Sequence, residues 1–203
     1  MRRAGALVAL FALCGGSARA EDAPVVTQRV DRRFVQKTGH AELSLGLAYL
    51  SRGDFYRNIG LEGTFSYWTD ESVALEAQAA LYHAGDTDAT EQVKRDLGFV
   101  PNAHREQSIV TVGGRWSIAY GKALVGKDSI VHFDPQVFAH AGMHSSEDGI
   151  GPMADVGLAL GARPKPWLEL RLDFALVLQA EDRKDGWAAI LGYKPLLSVG
   201  FML

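Results

Sequence analysis

Residues able to do chemistry gather on one stretch of this chain, AHAGMHSSEDG from Ala139 to Gly149. His144 can take the proton of the Ser146 hydroxyl, and Glu147 can orient the imidazole. The same Ser145–Gly149 composition is also that of an ordinary polar loop, and neighbouring strand residues point to opposite faces. A second constellation is His132, His140 and His144, which share one parity and have Asp134 beside them. At strand rise His132 and His140 are ~26 Å apart, so one ion cannot bridge them, and His132 to Asp134 spans about 7 Å. No metal and no cofactor is expected; the expected work of these histidines is interior hydrogen bonding and ion pairing. The third constellation is the broadest. Glu42, Glu62, Glu76, Arg115, His132, Asp134, Glu169, Arg171 and Asp173 recur at alternate positions in separate segments, which suits ion pairing in a shared interior.

The elements that must position these groups are strands. Trp167–Leu178 reads WLELRLDFALVL, with Leu or Phe at every even position from 168 to 178 and Glu169, Arg171 and Asp173 between them. A helix would mix these two sets around its axis, whereas a strand parts them into an apolar and a charged face. Period-two reading gives eight strands, over about 41–50, 58–69, 73–83, 108–120, 129–144, 153–163, 167–178 and 191–203. Asp70-Glu71-Ser72 and Arg163–Pro166 are tight turns, with a medium turn over Gly121–Asp128. The polar connections Ser51–Arg57, Ala84–Gln107, Ser145–Pro152 and Glu181–Ile190 lie at the other end. The longest holds a helical turn or two over Thr90–Leu97, with Gly98 as its stop.

The ends of the chain bound its destination. Arg2 and Arg3 precede an apolar run from Ala4 to Cys14, and Ala18-Arg19-Ala20 closes it. This is read as a secretory signal peptide over 1–20, cleaved before Glu21. Leu13 stands where a small residue would precede a lipidated cysteine, against a lipoprotein reading of Cys14. Cleavage would remove the one cysteine and three arginines, leaving 18 basic against 24 acidic residues, a net −6. That balance excludes a basic footprint for nucleic acid. No later stretch approaches the 18 apolar residues of a spanning helix. Residues 21–40 are read as a periplasmic segment, a solvated tether in preference to a plug of the barrel mouth, and 41–203 as the barrel domain.

Periodicity alone does not say which face is wet, and a soluble lipocalin-like barrel or sandwich stays open. Three features favour grease outward. The charged face also carries small residues, among them Gly46, Ala74, Gly113, Gly157 and Ala175, which suit the crowded inside of an eight-stranded barrel. Aromatics gather at strand ends as two candidate girdles: Tyr67, Trp68, Trp116, Tyr120, Phe133, Trp167 and Phe201 at one end, Tyr49 and Tyr193 at the other. Finally, an even strand count and one-sided long loops coincide with export. The expectation is an all-β, eight-stranded antiparallel up-and-down transmembrane β-barrel, its interior filled by paired charges instead of a wide pore.

The sequence also resembles the small outer-membrane β-barrel proteins abundant in myxobacteria and their relatives. The residues that carry the resemblance are Val25–Arg29, Gly39-His40-Ala41-Glu42, Asp54-Phe55-Tyr56, Tyr120-Gly121-Lys122 and Val131-His132-Phe133-Asp134. More distantly it is similar to the OmpA membrane domain and OmpX. The resemblance implies an outer-membrane location within an eight-stranded class of largely unassigned function; the expected role is structural or interactive in the cell envelope. The resemblance also implies outer-membrane lipid and the barrel-assembly machinery as partners, with an envelope protein partner unidentified, and it supplies no catalytic residues. Such barrels commonly end in an aromatic residue; here Leu203 is last and Phe201 is the substitute. The His144, Ser146 and Glu147 patch loosely resembles that of outer-membrane lipid A deacylases, which is the alternative function; a small pore is another.

Overall fold

The computed structural model describes residues 35–53, 55–99, 105–125, 129–147, 149–183 and 186–203. The signal-peptide reading of 1–20 and most of the 21–40 segment lie outside the described residues. Among the described residues nine strands form: β1 Ala41–Leu50, β2 Tyr56–Trp68, β3 Val73–Asp86, β4 Glu106–Ser117, β5 Gly121–Val125, β6 Ser129–Ser146, β7 Gly149–Lys165, β8 Leu168–Arg183 and β9 Gly186–Met202. Every pairing is antiparallel, β1 pairs with β9, and β4 pairs with β6, so the sheet closes on itself. The barrel has eight staves, because β4 and β5 share one. Ser117 is opposite Gln136 and Gly121 opposite Phe133, so β5 continues β4 along the same edge of β6 after a break at 118–120.

Closure fixes the geometry. The path from Glu42 through Ser66, Glu76, Gly113, His140, Asp155, Val177 and Gly192 returns to β1 level with Arg52, ten residues further along. Eight strands with that stagger tilt by about 41° and give a backbone radius of about 8 Å. That radius leaves room for side chains and little else. Glycine is required where two walls approach: a Cβ on Gly46 would meet the Leu197 carbonyl at 2.5 Å and Ser198 Cβ at 2.6 Å.

Several boundaries differ from those expected. The segment read as a medium turn, Gly121–Asp128, contains strand β5. Strands β6 to β9 run past their expected ends, so the loops read at Ser145–Pro152 and Glu181–Ile190 are mostly ladder. The reason is that backbone pairing continues where side-chain alternation has faded. The expected helix forms as α1, Asp88–Leu97, with Thr87 as its N-cap and Gly98 ending it at φ 71°, a left-handed conformation that glycine adopts freely.

Candidate functional site

The alternation of every stave delivers one residue set inward and the other outward. The nine charged or titratable residues expected inside are all buried, from 1 % exposed at Glu42 to 5 % at His132. The apolar set is out: Leu45, Leu47, Leu81, Val112, Leu158 and Leu197 are each more than 60 % exposed. From Leu168 to Leu178 this belt is about 25 Å tall at the barrel's tilt, the height of a bilayer's apolar band.

The interior is layered. At the short-turn end Lys37 pairs with Asp134, which also accepts from Ser117 Oγ. Arg163 bridges Glu42 at 2.6 Å and Glu169 at 3.2 Å. Above them Arg115 donates through Nε to Glu76 at 2.7 Å, through one terminal nitrogen to Gln136 at 2.9 Å and through the other to Asp173 at 3.2 Å. Arg171 Nε lies 3.1 Å from Asp173 Oδ1. His140 stands between two acids, with Nδ1 at 2.7 Å from Asp155 and Nε2 at 3.0 Å from Glu76. Only a doubly protonated ring can donate to both. Lys194 Nζ is 2.9 Å from Glu62 and 3.5 Å from Asp155. Buried ions of this kind cost several kcal/mol each when left without partners, and here each guanidinium or ammonium meets at least one carboxylate.

An apolar collar of Leu50, Ala80, Ile109, Met153 and Val177, with Tyr82 packed against it, lies above this network. Beyond the collar is a second polar tier. Arg52 pairs with Glu106 and Glu181, Gln179 donates to Glu106 at 3.1 Å, and Asn58 donates to the Leu50 carbonyl at 3.1 Å. The sequence reading missed Lys37, Arg52, Glu106, Glu181 and Lys194. Lys194 shares parity with Ser198 and Gly200, but the adjacent Leu196 and Leu197 hide the alternation there. Glu106 precedes a bulge between 106 and 108 that shifts the register of β4, so counting back from Thr111 puts it on the wrong face.

Two corrections concern the ends of the barrel. Trp68 is not interfacial: it is 1 % exposed, with the Lys37 ammonium 4.0 Å from its ring centre. Adjacent strand residues alternate, so of Tyr67 and Trp68 one alone can face outward. Tyr120 likewise leaves the girdle, its hydroxyl 2.5 Å from His132 Nδ1. Tyr67, Trp116, Trp167 and Phe201 face outward at the short-turn end, with Phe133 half-buried there; Trp167 and Phe201 stack at 6.1 Å. Tyr49 and Tyr193 meet at 6.3 Å on the other rim. The second correction is to the tether. Val35 and Lys37 are 4 % and 3 % exposed, so this end of the segment fills the mouth, fastened by Glu71, which accepts from the Lys37 and Thr38 amides at 3.2 Å. Burial pushes the Lys37 ammonium below its ordinary pKa, with Asp134 opposing.

The residues singled out for catalysis do not converge. His144 Nε2 faces the Ala180 carbonyl at 3.1 Å and its Nδ1 lies 3.3 Å from Glu106, while Ser146 donates to the Gly149 carbonyl at 3.5 Å. Glu147 is 3.5 Å from Arg105. The three histidines have separate partners, and among the described residues no group of three His, Cys, Asp or Glu is placed to hold a metal ion. Among the described residues no helix is long and apolar enough to cross a membrane.

No protein-family model and no curated protein matches the sequence. Among solved structures the chain is similar to a de novo designed transmembrane β-barrel, at 14% identity and a TM-score of 0.45, over 83% of this chain and 99% of that one. It is similar to Ail, the attachment invasion locus protein of Yersinia pestis, at 13% identity and a TM-score of 0.40, over 82% and 99%. It is also similar to Neisserial surface protein A, at 7% identity and a TM-score of 0.43, over 80% and 95%.

Proposed function

We propose that this chain is an integral outer-membrane β-barrel with a structural or interaction role in the cell envelope, its lumen filled instead of open. The observation that carries the reading is the inversion of the usual soluble pattern. Apolar side chains, mostly leucines, are exposed around the whole belt, while Glu, Asp and Arg are paired in a closed interior. An apolar band of this extent is far larger than the patches that soluble monomers leave in water, and a closed barrel is the one way strands cross a bilayer with every backbone group satisfied. The motif resemblance to small myxobacterial barrels supports the same reading.

In this reading the termini and short turns face the periplasm, and the β3–β4 rim with α1 faces outward. Lipid is the partner of the belt, and the β9 end, Phe201 to Leu203, is what the assembly machinery engages. The charged side chains hold the cylinder together and turn over no substrate. Membrane fractionation followed by gel mobility with and without heating tests it. A detergent-extracted protein whose unheated band shifts on boiling is the expected outcome. Recovery in the periplasmic fraction without detergent would sink it.

A further inference from the structure

The outward face of β1 to β4 changes character at the upper edge of the belt. Ile59 and Leu81 are the last apolar residues outward on β2 and β3, and the next outward positions are Arg57 and His83, both exposed. Ile59 pairs with His83 and Arg57 with Gly85, so Arg57 and His83 are diagonal neighbours, close enough for both to reach one small anion. Gly85 is bare beside them, and a Cβ there would meet nothing within 4 Å. Exposed Gln107 extends the arc on β4. Among the described residues no carboxylate projects outward on these strands at this level. The nearest, Asp86, is on the opposite face of β3, where Lys94 and Arg105 engage it. The Arg57 guanidinium makes one long bond, 3.4 Å to the Asp86 carbonyl. The arc is local, because at and above the same level β7 and β9 present Ile150, Leu191 and Trp187.

We propose that Arg57 and His83 clasp the phosphate of an anionic lipid headgroup in the outer leaflet. The inference rests on the membrane reading above. The belt fixes the depth: a side chain one step above Ile59 and Leu81 stands where headgroups begin. There a guanidinium offers forked donors that match phosphate oxygens. The imidazole supplies a second donor from the neighbouring strand, and the missing side chain at Gly85 leaves space between them for the phosphate.

The test uses the full-length barrel in nanodiscs, with retention measured for lipid A bearing its phosphates, dephosphorylated lipid A and phosphatidylglycerol. The wild type is expected to retain phosphorylated lipid A about tenfold better than the dephosphorylated form. Arg57→Gln with His83→Gln should abolish that preference, and so should Gly85→Glu, which places a carboxylate in the open space without disturbing packing. Equal retention of phosphatidylglycerol and lipid A would support the phosphate chemistry, with a phospholipid as its source. Displacement of lipid A by millimolar inorganic phosphate would overturn the lipid assignment in favour of the free anion. Unchanged preference in the variants, with the heat-dependent gel shift intact, would overturn the proposal. A wild type that never shows the shift would instead remove the membrane reading beneath it, so the two failures are distinguishable.

Discussion

At the scale of single residues, burial separates side chains that hold the barrel together from those that meet its surroundings. Arg115 is 2 % exposed and joins Glu76, Gln136 and Asp173, residues of three other strands. Arg115→Met would leave two buried carboxylates short of a cation, and should cost about 3–5 kcal/mol, read as a lower urea midpoint in lipid vesicles by tryptophan fluorescence. Leu158 is the converse case, 64 % exposed near the middle of the belt. Leu158→Arg should cost about 2–4 kcal/mol in a bilayer, whereas on a water-exposed surface the same change would be close to neutral. Vesicle unfolding that shows no loss for Leu158→Arg would count against lipid contact at that position. Much of this was legible beforehand, since the nine expected interior residues share the strict alternation of mid-strand positions. Lys194, Glu106 and Trp68 were not. Each lies where alternation is broken or uninformative, beside a Leu196–Leu197 pair, a bulge, and a Tyr–Trp pair at a strand end. Lys37 precedes the first strand, and nothing in a period of two could place it in the mouth.

At the scale of elements, the inward and outward glycines make opposite demands. Gly46 faces the interior on the β1–β9 seam, where an added Cβ would run into the Leu197 carbonyl, Ser198 and Leu196 within 2.8 Å. Gly114 faces outward on β4, and an added Cβ would meet the Ala74 carbonyl alone, at 3.5 Å, an ordinary contact. Gly46→Val should therefore block closure and abolish the compact form expected in the unheated sample, while Gly114→Leu should fold with its gel shift intact. Equal tolerance of both would mean the seam is not as tight as its geometry implies. The elements themselves were readable from side-chain pattern, but their ends were not. Strands β6 to β9 extend because an antiparallel ladder propagates by backbone bonds that any residue except proline can make. The reading of Gly121–Asp128 as a turn failed for the same reason: Gly121-Lys122-Ala123-Leu124-Val125 pairs residue for residue with Phe133 to Ser129, although its side chains show no clean alternation.

At the scale of the whole molecule, the question is whether a cylinder of this width leaves a path along its axis. A backbone radius of about 8 Å is nearly consumed by inward side chains, and three successive obstacles occupy the described interior. Lys37 and Trp68 cover the short-turn mouth, the Arg115 and Arg171 network crosses the middle, and the Leu50, Ile109, Met153 and Val177 collar interrupts the polar lining above. An ion crossing the collar would lose its hydration with little besides the Tyr82 hydroxyl to replace it. The barrel reconstituted in planar bilayers should accordingly give a flat current trace. Relieving one obstacle should leave the trace flat, because the others stand in series: Trp68→Ala alone, or Ile109→Ser with Met153→Ser alone, should conduct no better than the wild type. Combining these changes leaves the charged middle layer as the remaining barrier. In that variant its ion pairs are no longer backed by packed apolar neighbours, so brief openings should emerge. Steady conductance steps from the wild type would show that the paired charges line a water-filled passage, and the layered packing would then have to be read as the wall of a channel.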